Sequence, residues 1–306
     1  MRKQRSAAAT NSFLGWMMLL LVFELCVAIM LQLGLFSTVL QILVQSDVSD
    51  IASRGNPPTL SDEFGDIVAG VLPVEAALLD TGKKRFIEVI DSCGVHFDGD
   101  CLVVRSAPTT TALVVTRLRT GVVVQVDSEV NIDGRTWYKI AFDEWLRYPE
   151  RLQGDWYIAG DFVEVFYDEG VTDLEDREAS TTKRIVVDRS SQTLVAYEDE
   201  RVFMEADISA GLELTPTPRG NFTIFRKTPT RYMQGPLPYL VDKQIYDLPG
   251  VPWTLYFTEG GAAIHGTYWH DNFGTAQSHG CVNLSPQEAK NLYGWADLGT
   301  KVLVRD

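Results

Sequence analysis

The longest apolar run of the chain begins at Phe13 and ends at Val44, with few strongly polar side chains inside it. A helix needs about 20 such residues to cross a bilayer. A carboxylate at mid-membrane, here Glu24, costs roughly 2.5–3.5 kcal/mol, and each Leu, Ile, Phe or Val gains about 0.3–0.6 kcal/mol. Eleven such apolar residues lie between Phe13 and Leu31. The pattern therefore predicts a transmembrane helix within residues 13–44.

Basic residues place the two ends of this helix. Arg2, Lys3 and Arg5 precede the run, and the next basic residue is Arg54. By the positive-inside rule, residues 1–12 form a cytoplasmic tail and everything after residue 44 lies outside the cell membrane. A cleaved signal peptide is the alternative, but the apolar core is long and no small-residue cleavage site precedes polar sequence, which favours a single-pass anchor.

The rest of the chain is predicted to be mainly β. Residues 45–84 are read as a stalk, and residues 85–167 contain short β-rich runs separated by Gly, Asp and Pro turns, which are typical of a small barrel. Residues 168–182 are an acidic linker with little to bury. Residues 183–306 form a second β-rich domain.

One helix is expected in that last domain. Ser285, Pro286 and Glu288 give an N-cap, a proline at the first helical position and a capping-box carboxylate. The helix is expected to end near Trp295.

Composition narrows the possible partners. The chain has 306 residues and a formal charge of −14. Because nucleic-acid binding needs clustered Lys and Arg, this charge argues against a nucleic-acid partner. The length leaves room for two compact domains after the membrane segment.

Cys93 and Cys101 lie eight positions apart across a turn, and outside the cytoplasm such a pair can close as a disulfide. Two reduced, buried thiols are the alternative. Asp98 and Asp100 could in principle bind Ca²⁺, but Asp-Gly-Asp is more often a plain turn.

Cys281 and three of the four histidines fall within seventeen residues, which points to nucleophilic chemistry. A thiol becomes a good nucleophile when a neighbouring imidazole takes its proton. A short strand delivers His265, the candidate base, and Gly280 allows the turn before Cys281 to approach a substrate carbonyl. His270 lies in an aromatic loop and is read as a binding or structural residue.

Three segments carry a family resemblance: Ile264-His-Gly-Thr-Tyr-Trp-His, Ser278-His-Gly-Cys-Val-Asn-Leu-Ser, and the upstream Ser209-Ala-Gly-Leu-Glu-Leu-Thr-Pro-Thr-Pro-Arg-Gly-Asn-Phe. Together they resemble the L,D-transpeptidase (YkuD-type) catalytic domain. The resemblance implies a β-sandwich with a short helix that acts on peptidoglycan stem peptides through a cysteine acyl-enzyme. It implies Cys281 as nucleophile and His265 as base, with Ser278, His279 and Gly280 in the supporting turn.

Substrate-binding residues are expected beside this motif. Many members of the family carry Arg at the position of Asn283, so its role in orienting the donor is left open. The segment from Thr228 to Pro252 is long and rich in aromatics and proline, and is read as a lid or as an ordinary packed loop. The candidate substrate-binding residues are Tyr268, Trp269, Asn283, Tyr232, Met233, Tyr246 and Trp253, with Tyr239 as a further lid residue.

Residues 85–167 resemble the bacterial SH3-like family, through Cys101-Leu-Val-Val-Arg-Ser-Ala-Pro, Gly134-Arg-Thr-Trp-Tyr-Lys-Ile and Trp156-Tyr-Ile-Ala-Gly-Asp-Phe-Val. This resemblance implies a small β-barrel of the kind that accompanies cell-wall enzymes.

Four alternatives remain beside the transpeptidase reading. Cys281 could be an inert buried thiol, or the four clustered residues could bind zinc, although their spacing lacks close paired ligands. The protein could bind cell wall without catalysis. Water could replace the amine acceptor, which would make the enzyme an L,D-carboxypeptidase. No cofactor or metal is required, because thiolate, imidazole and backbone donors supply the proposed chemistry.

Overall fold

The computed structural model describes residues 82–174, 181–237 and 244–306, all of which belong to one compact unit of the chain. The predicted tail (1–12), anchor (13–44) and nearly all of the stalk (45–84) lie outside the described residues. Within the described ranges, no helix has the length and apolar character needed to cross a bilayer.

The first part of the described chain, residues 84–168, is called the N-terminal β-unit below. Its strands are β1 (Lys84–Val89), β2 (Leu102–Arg105), β3 (Val114–Leu118), β4 (Val123–Ile132), β5 (Arg135–Ile140), β6 (Tyr157–Ala159) and β7 (Val163–Asp168). They form one antiparallel sheet in the order β3-β2-β6-β5-β4-β1-β7. In this order β3 and β7 are the outer strands, and β1 lies between β4 and β7.

The N-terminal β-unit has its own apolar core. Alternate residues of its strands point inward, and Ile87, Val104 and Ile158 are fully buried. Cys93 and Cys101, the pair expected to form a disulfide, are joined across the connection between β1 and β2 with their Cα atoms 4.4 Å apart. This covalent link closes a loop that carries little regular structure of its own.

The second part, residues 172–306, is called the C-terminal unit. Its elements are β8 (Thr172–Asp173), β9 (Lys183–Asp188), β10 (Thr193–Glu198), β11 (Arg201–Asp207), β12 (Gly220–Thr223), β13 (Arg226–Pro236), β14 (Ile245–Tyr256), β15 (Ala263–Gly266), β16 (Val282–Leu284), α1 (Pro286–Trp295) and β17 (Lys301–Arg305). Two five-stranded sheets result, β11-β10-β9-β17-β12 and β16-β15-β14-β13-β8.

The two sheets and the helix share one core. Val187 and Val302 from the first sheet and Leu255 and Ile264 from the second belong to a single buried cluster, which Leu292 of α1 completes. The described part of the chain is thus mainly β, with α1 as its α-helix and a two-sheet C-terminal unit. The expected capping box is formed, since the Ser285 side chain accepts from the Glu288 N–H and the Glu288 carboxylate accepts from the Ser285 N–H.

Two segments differ from the prediction. The start of the acidic linker forms β8, which pairs with β13, because Asp173 holds the Arg226 guanidinium through two hydrogen bonds of 2.5 and 3.2 Å. Residues 175–180 of that linker lie outside the described residues. The predicted lid or loop from Thr228 is instead a long hairpin, in which β13 pairs with β14 despite Pro229 and Pro236.

The two units interlock through the β13–β14 hairpin. Gly250 adopts φ +67°, and a Cβ there would lie 2.6 Å from both Val122 Cγ1 and the Val123 carbonyl oxygen. The Thr230 hydroxyl donates to the same carbonyl. An aromatic contact of 5.1 Å between the ring centres of Phe166 and Trp253 joins the two cores. The unit that contains His265 and Cys281 is therefore packed directly against the N-terminal β-unit.

Candidate active site

The position of Cys281 relative to His265 follows from the pairing of two short strands. β15 and β16 are parallel neighbours in which His265 pairs with Asn283. Cys281 immediately precedes β16, so the pairing of β15 with β16 brings its segment beside the segment that holds His265. The expected nucleophile and base thus come from neighbouring positions of two adjacent strands.

The turn before Cys281 is held by Ser278. The Ser278 hydroxyl donates to the Cys281 carbonyl at 2.5 Å and accepts from the Gly280 N–H at 3.1 Å. Gly280 adopts φ +122°, a conformation that side chains rarely tolerate. His279 is exposed beside this turn. Ser278 and Gly280 therefore shape the turn that precedes Cys281.

The upstream segment braces the same turn. The Leu212 N–H donates to the Ser278 carbonyl at 2.9 Å, and the Thr217 hydroxyl donates to the Cys281 carbonyl at 3.3 Å. At Gly211, a Cβ would lie 2.2 Å from the Thr215 carbonyl oxygen. Only glycine fits that position, which explains why the Ser209-Ala-Gly segment accompanies the cysteine motif.

The ring of His265, the candidate base, is buried and neutral. It is 2 % exposed, and its Nδ1 lies 2.9 Å from the Gly266 carbonyl oxygen. A carbonyl only accepts, so Nδ1 carries the proton and Nε2 keeps a free lone pair. Burial lowers the pKa of His265 to about 4, against a smaller opposing effect of the Gly266 carbonyl. The imidazole is therefore uncharged at neutral pH.

Cys281 is also uncharged at rest. Burial raises the pKa of its thiol, with a smaller opposing contribution from the Ala263 N–H. Its Sγ lies 3.9 Å from the Gly261 carbonyl oxygen. Among the hydrogen bonds of the described residues, none joins Cys281 to His265 directly. The pair is thus a thiol and a neutral imidazole, not a preformed ion pair.

The residues around His265 contact one another, and neither they nor His265 are among the residues that line the cavity around Cys281. Asn283 Nδ2 lies 3.0 Å from His270 Nε2, and the Trp269 ring lies 5.9 Å from the His265 ring. Burial lowers the pKa of His270, which keeps that ring neutral too. Tyr268 is buried, and its hydroxyl donates to the Pro249 carbonyl at 2.7 Å.

In the described ranges, no arrangement of side chains is suited to binding a metal ion. No group of three or more His, Cys, Asp or Glu side chains there converges as a metal site. His270, one of the four residues in the zinc alternative, is engaged by Asn283.

Cys281 opens onto a cavity of about 780 Å³. Tyr232, Met233 and Tyr246, three of the expected lid residues, line it from the β13–β14 hairpin. Trp253 does not: it is buried in the core, where its ring contacts those of Phe166 and Tyr293. Tyr239 lies outside the described residues.

Tyr246 links the hairpin to the cysteine turn. Its ring stacks near the His279 ring at 6.3 Å, and a Cβ on Gly235 would touch its hydroxyl at 2.3 Å. Burial raises the pKa of Tyr246, and the negative charge of a Cys281 thiolate raises that pKa further. Tyr246 and Cys281 both line the cavity.

Several lining residues escape prediction from the sequence. Tyr256 lines the same cavity as Cys281. Glu144 and Arg231 form an ion pair in the cavity wall, and Glu144 belongs to the N-terminal β-unit. The alternation in the strand around Tyr256 could have revealed that residue, whereas no local pattern signals Glu144.

We call β15, β16 and the turn 278–281 the reactive wall. The β13–β14 hairpin together with residues 141–148 of the N-terminal β-unit is called the recognition wall. The cavity lies between these two walls.

Residues 182–304 match the family model of the L,D-transpeptidase catalytic domain, YkuD. A Bacillus licheniformis protein named as the L,D-transpeptidase YkuD is 29% identical over 124 residues, which are 40% of this chain and 64% of that protein. This chain thus spans less than two thirds of that relative.

Two solved structures are also similar. The catalytic domain of an Enterococcus faecium L,D-transpeptidase is 31% identical and matches 43% of this chain and 100% of its own, with a TM-score of 0.36. An L,D-transpeptidase from Mycobacterium smegmatis is 23% identical over 56% of this chain and 91% of its own, with a TM-score of 0.39. At these TM-scores the superpositions add nothing to the fold described above. The part of the chain that holds Cys281 and His265 thus matches the YkuD family of L,D-transpeptidase catalytic domains.

Proposed function

We propose that the protein is a peptidoglycan L,D-transpeptidase that works through a Cys281 acyl-enzyme. The observation that carries the proposal is the parallel pairing of β15 with β16, which brings the segment of His265 beside that of Cys281, with His265 Nε2 free to accept a proton. The match of residues 182–304 to the L,D-transpeptidase catalytic domain supports the substrate class.

The first half-reaction begins from the neutral pair. As Cys281 attacks the carbonyl of the L,D peptide bond of a tetrapeptide stem, His265 takes the thiol proton. The N–H groups of the turn around Gly280 stabilise the oxyanion, a contribution worth roughly 100- to 1,000-fold per donor in enzymes of this chemistry. The carbon–nitrogen bond breaks, His265 returns the proton to the amine, and D-alanine leaves a thioester on Cys281.

The second half-reaction transfers the acyl group to an amine of a neighbouring stem. That amine gives a proton to His265 and attacks the thioester, and the Cys281 thiol is re-formed when the carbon–sulfur bond breaks. The cavity of about 780 Å³ has room for a peptide segment beside the sulfur.

Localisation belongs to the same proposal. We place residues 13–44 in the cell membrane as a single-pass anchor and both described units outside the cytoplasm. The apolar run, the basic residues before it and the Cys93–Cys101 disulfide support this, because disulfides persist in oxidising compartments. The N-terminal β-unit is proposed to be SH3-like. Protease digestion of intact and permeabilised cells tests the topology, since C-terminal fragments are cleaved in intact cells only if they lie outside.

Mass spectrometry tests the reaction. The full-length chain in mild detergent and its Cys281→Ala variant are incubated with a tetrapeptide-stem disaccharide, and protein and products are weighed. A wild-type adduct of stem without D-alanine and a cross-linked dimer, both absent in the variant, are expected. Release of D-alanine without dimer would indicate the L,D-carboxypeptidase, turnover by Cys281→Ala would exclude the nucleophile, and no reaction from either would favour a binding protein.

A further inference from the structure

The N-terminal β-unit contributes directly to the cavity around Cys281. Its residues 141–145 and Arg147 line the same space as Tyr246 and Tyr256 of the C-terminal unit. Residues from two separately folded sheets therefore surround one substrate space.

Hydrogen bonds anchor both ends of this segment on β13. At one end, Glu144 accepts from the Tyr232 N–H at 2.8 Å and forms an ion pair with Arg231, and both charged side chains are 22 % exposed. At the other end, the Tyr148 N–H donates to Gln234 Oε1 at 2.9 Å. The short loop between these anchors, residues 145–147, is thus fixed against the β13–β14 hairpin.

This loop has two exposed side chains. Trp145 is 73 % exposed and Arg147 is exposed beside it, and both line the cavity. An indole left in water on a fixed loop at a cavity mouth is typical of a surface that binds a partner or ligand. Leu146 between them is partly buried.

Arg147 also differs from the other cations of the cavity. Lys84 pairs with Asp143, Arg226 with Asp173 and Arg231 with Glu144. Among the described residues, no carboxylate pairs with Arg147, whose guanidinium lies 5.8 Å from the Tyr148 ring centre. The positive charge of Arg147 lowers the pKa of Tyr246, and a Cys281 thiolate raises that pKa, so both charges act on the same hydroxyl.

We infer that Arg147 recognises a carboxylate of the stem peptide, with Trp145 packing against the peptide beside it. This rests on the proposed function for the substrate class. The chain has a formal charge of −14 and would repel an anionic peptide, so a cation at the cavity that no described carboxylate neutralises supplies the attraction that the overall field lacks. Arginine suits this role because its fork of donors matches a carboxylate.

Binding is measured by NMR titration of the full-length Cys281→Ala protein, up to millimolar peptide. The probes are a tetrapeptide stem and the same peptide with its carboxylates amidated. Arg147→Gln is expected to weaken the binding of the free-acid peptide roughly three- to tenfold, the range of a partly exposed charge pair. The affinity for the amidated peptide should not change. The affinity of Arg147→Lys for the free-acid peptide should lie between those of the parent and Arg147→Gln. The loss of affinity caused by Arg147→Gln should be smaller at high salt.

Arg117→Gln is the matched control, because Arg117 is an exposed arginine on β3 of the same unit and does not line the cavity. It should bind both peptides as the parent does. An equal effect of Arg147→Gln on acid and amide, no effect on either, or no binding of the acid would overturn the inference. Turnover is assayed separately in the Cys281 protein: carboxylate-dependent binding without acylation would reject the proposed function and leave the carboxylate site standing.

Discussion

The residues that meet in the reactive wall and those that meet in the recognition wall are separated by very different distances along the chain. In the reactive wall, Cys281 faces Gly261, which is 20 positions away. In the recognition wall, Glu144 pairs with Arg231 across 87 positions and two folded units. The chemistry is therefore encoded locally, whereas the surface that would select a substrate depends on how two sheets pack together.

The two walls also differ in charge. The reactive wall holds a neutral thiol and a neutral imidazole, because burial shifts both pKa values toward the uncharged forms. The recognition wall carries charged groups, among them the Arg231–Glu144 pair and the Arg147 guanidinium. We therefore expect changes in the reactive wall to reduce kcat and changes in the recognition wall to raise KM.

The largest effect is expected at the base. His265→Ala should lower kcat by roughly 100- to 10,000-fold with little change in KM, because general-base catalysis contributes that range. Rates of acyl-enzyme formation from stopped-flow mass spectrometry would measure it. His270→Ala is the control, since His270 contacts Asn283 and not the cavity, and it should retain more activity. Equal losses in both variants would contradict the assignment of His265.

The second largest effect is expected at Gly211, in the upstream segment that braces the turn 278–281. Gly211→Ala places a Cβ 2.2 Å from the Thr215 carbonyl oxygen, so the turn must move. We expect a loss of about 1–3 kcal/mol in the free energy of unfolding and at least a tenfold loss in kcat. Urea denaturation and the acylation assay measure the two effects.

Gly294→Ala is its control. Gly294 lies in α1, and a Cβ added there would have no neighbouring atom within 4 Å, so alanine should stabilise the helix by about 0.5–1 kcal/mol. If Gly211→Ala were as well tolerated, the upstream segment would not brace the turn.

The contrast between the walls explains which features could be read from the sequence. The strands around Val187 and Val302, the capping box at Ser285 and the order of His265 and Cys281 depend on local patterns, and they were predicted. The β13 strand was missed because Pro229 and Pro236 suggested a loop. Trp253 was placed in the lid because its aromatic character does not tell which face of a strand it occupies.

Residues of the recognition wall had no local signal at all. Glu144 is one acid among 41 Asp and Glu residues, and its role depends on Arg231 in a different unit. Arg147 becomes distinctive only because the other cations of the cavity have partners. Such residues can be identified only when the pairing of the two units is known.

Breaking the ion pair between Glu144 and Arg231 in the recognition wall should have a moderate effect on stability and on KM. Glu144→Gln keeps an oxygen for the Tyr232 N–H and removes the charge that pairs with Arg231. Loss of one partner from a buried pair costs about 3–5 kcal/mol, and partial exposure here reduces the expected loss to about 1–2 kcal/mol. KM should rise severalfold with kcat nearly unchanged.

Asp161→Asn is the comparison, because Asp161 pairs with Arg135 on an exposed surface where such pairs contribute about 0–1 kcal/mol. Thermal unfolding and steady-state kinetics on both variants measure the difference. A Glu144→Gln protein as stable as Asp161→Asn, with unchanged KM, would show that the anchor does not matter.

The smallest expected effect concerns acid, and it tests the neutral character of the reactive wall. A base with the ordinary histidine pKa of about 6.5 is only about 3% unprotonated at pH 5, which would reduce activity about thirtyfold. The pKa of His265 is lowered to about 4, so it stays mostly unprotonated at pH 5, and kcat/KM should fall by less than about twofold between pH 7 and pH 5. Below pH 4 the imidazole gains its proton and activity should be lost, with circular dichroism confirming that the protein remains folded. An acid limb centred near pH 6.5 would mean that His265 is solvated in the working enzyme, and that the two walls do not differ in charge as described.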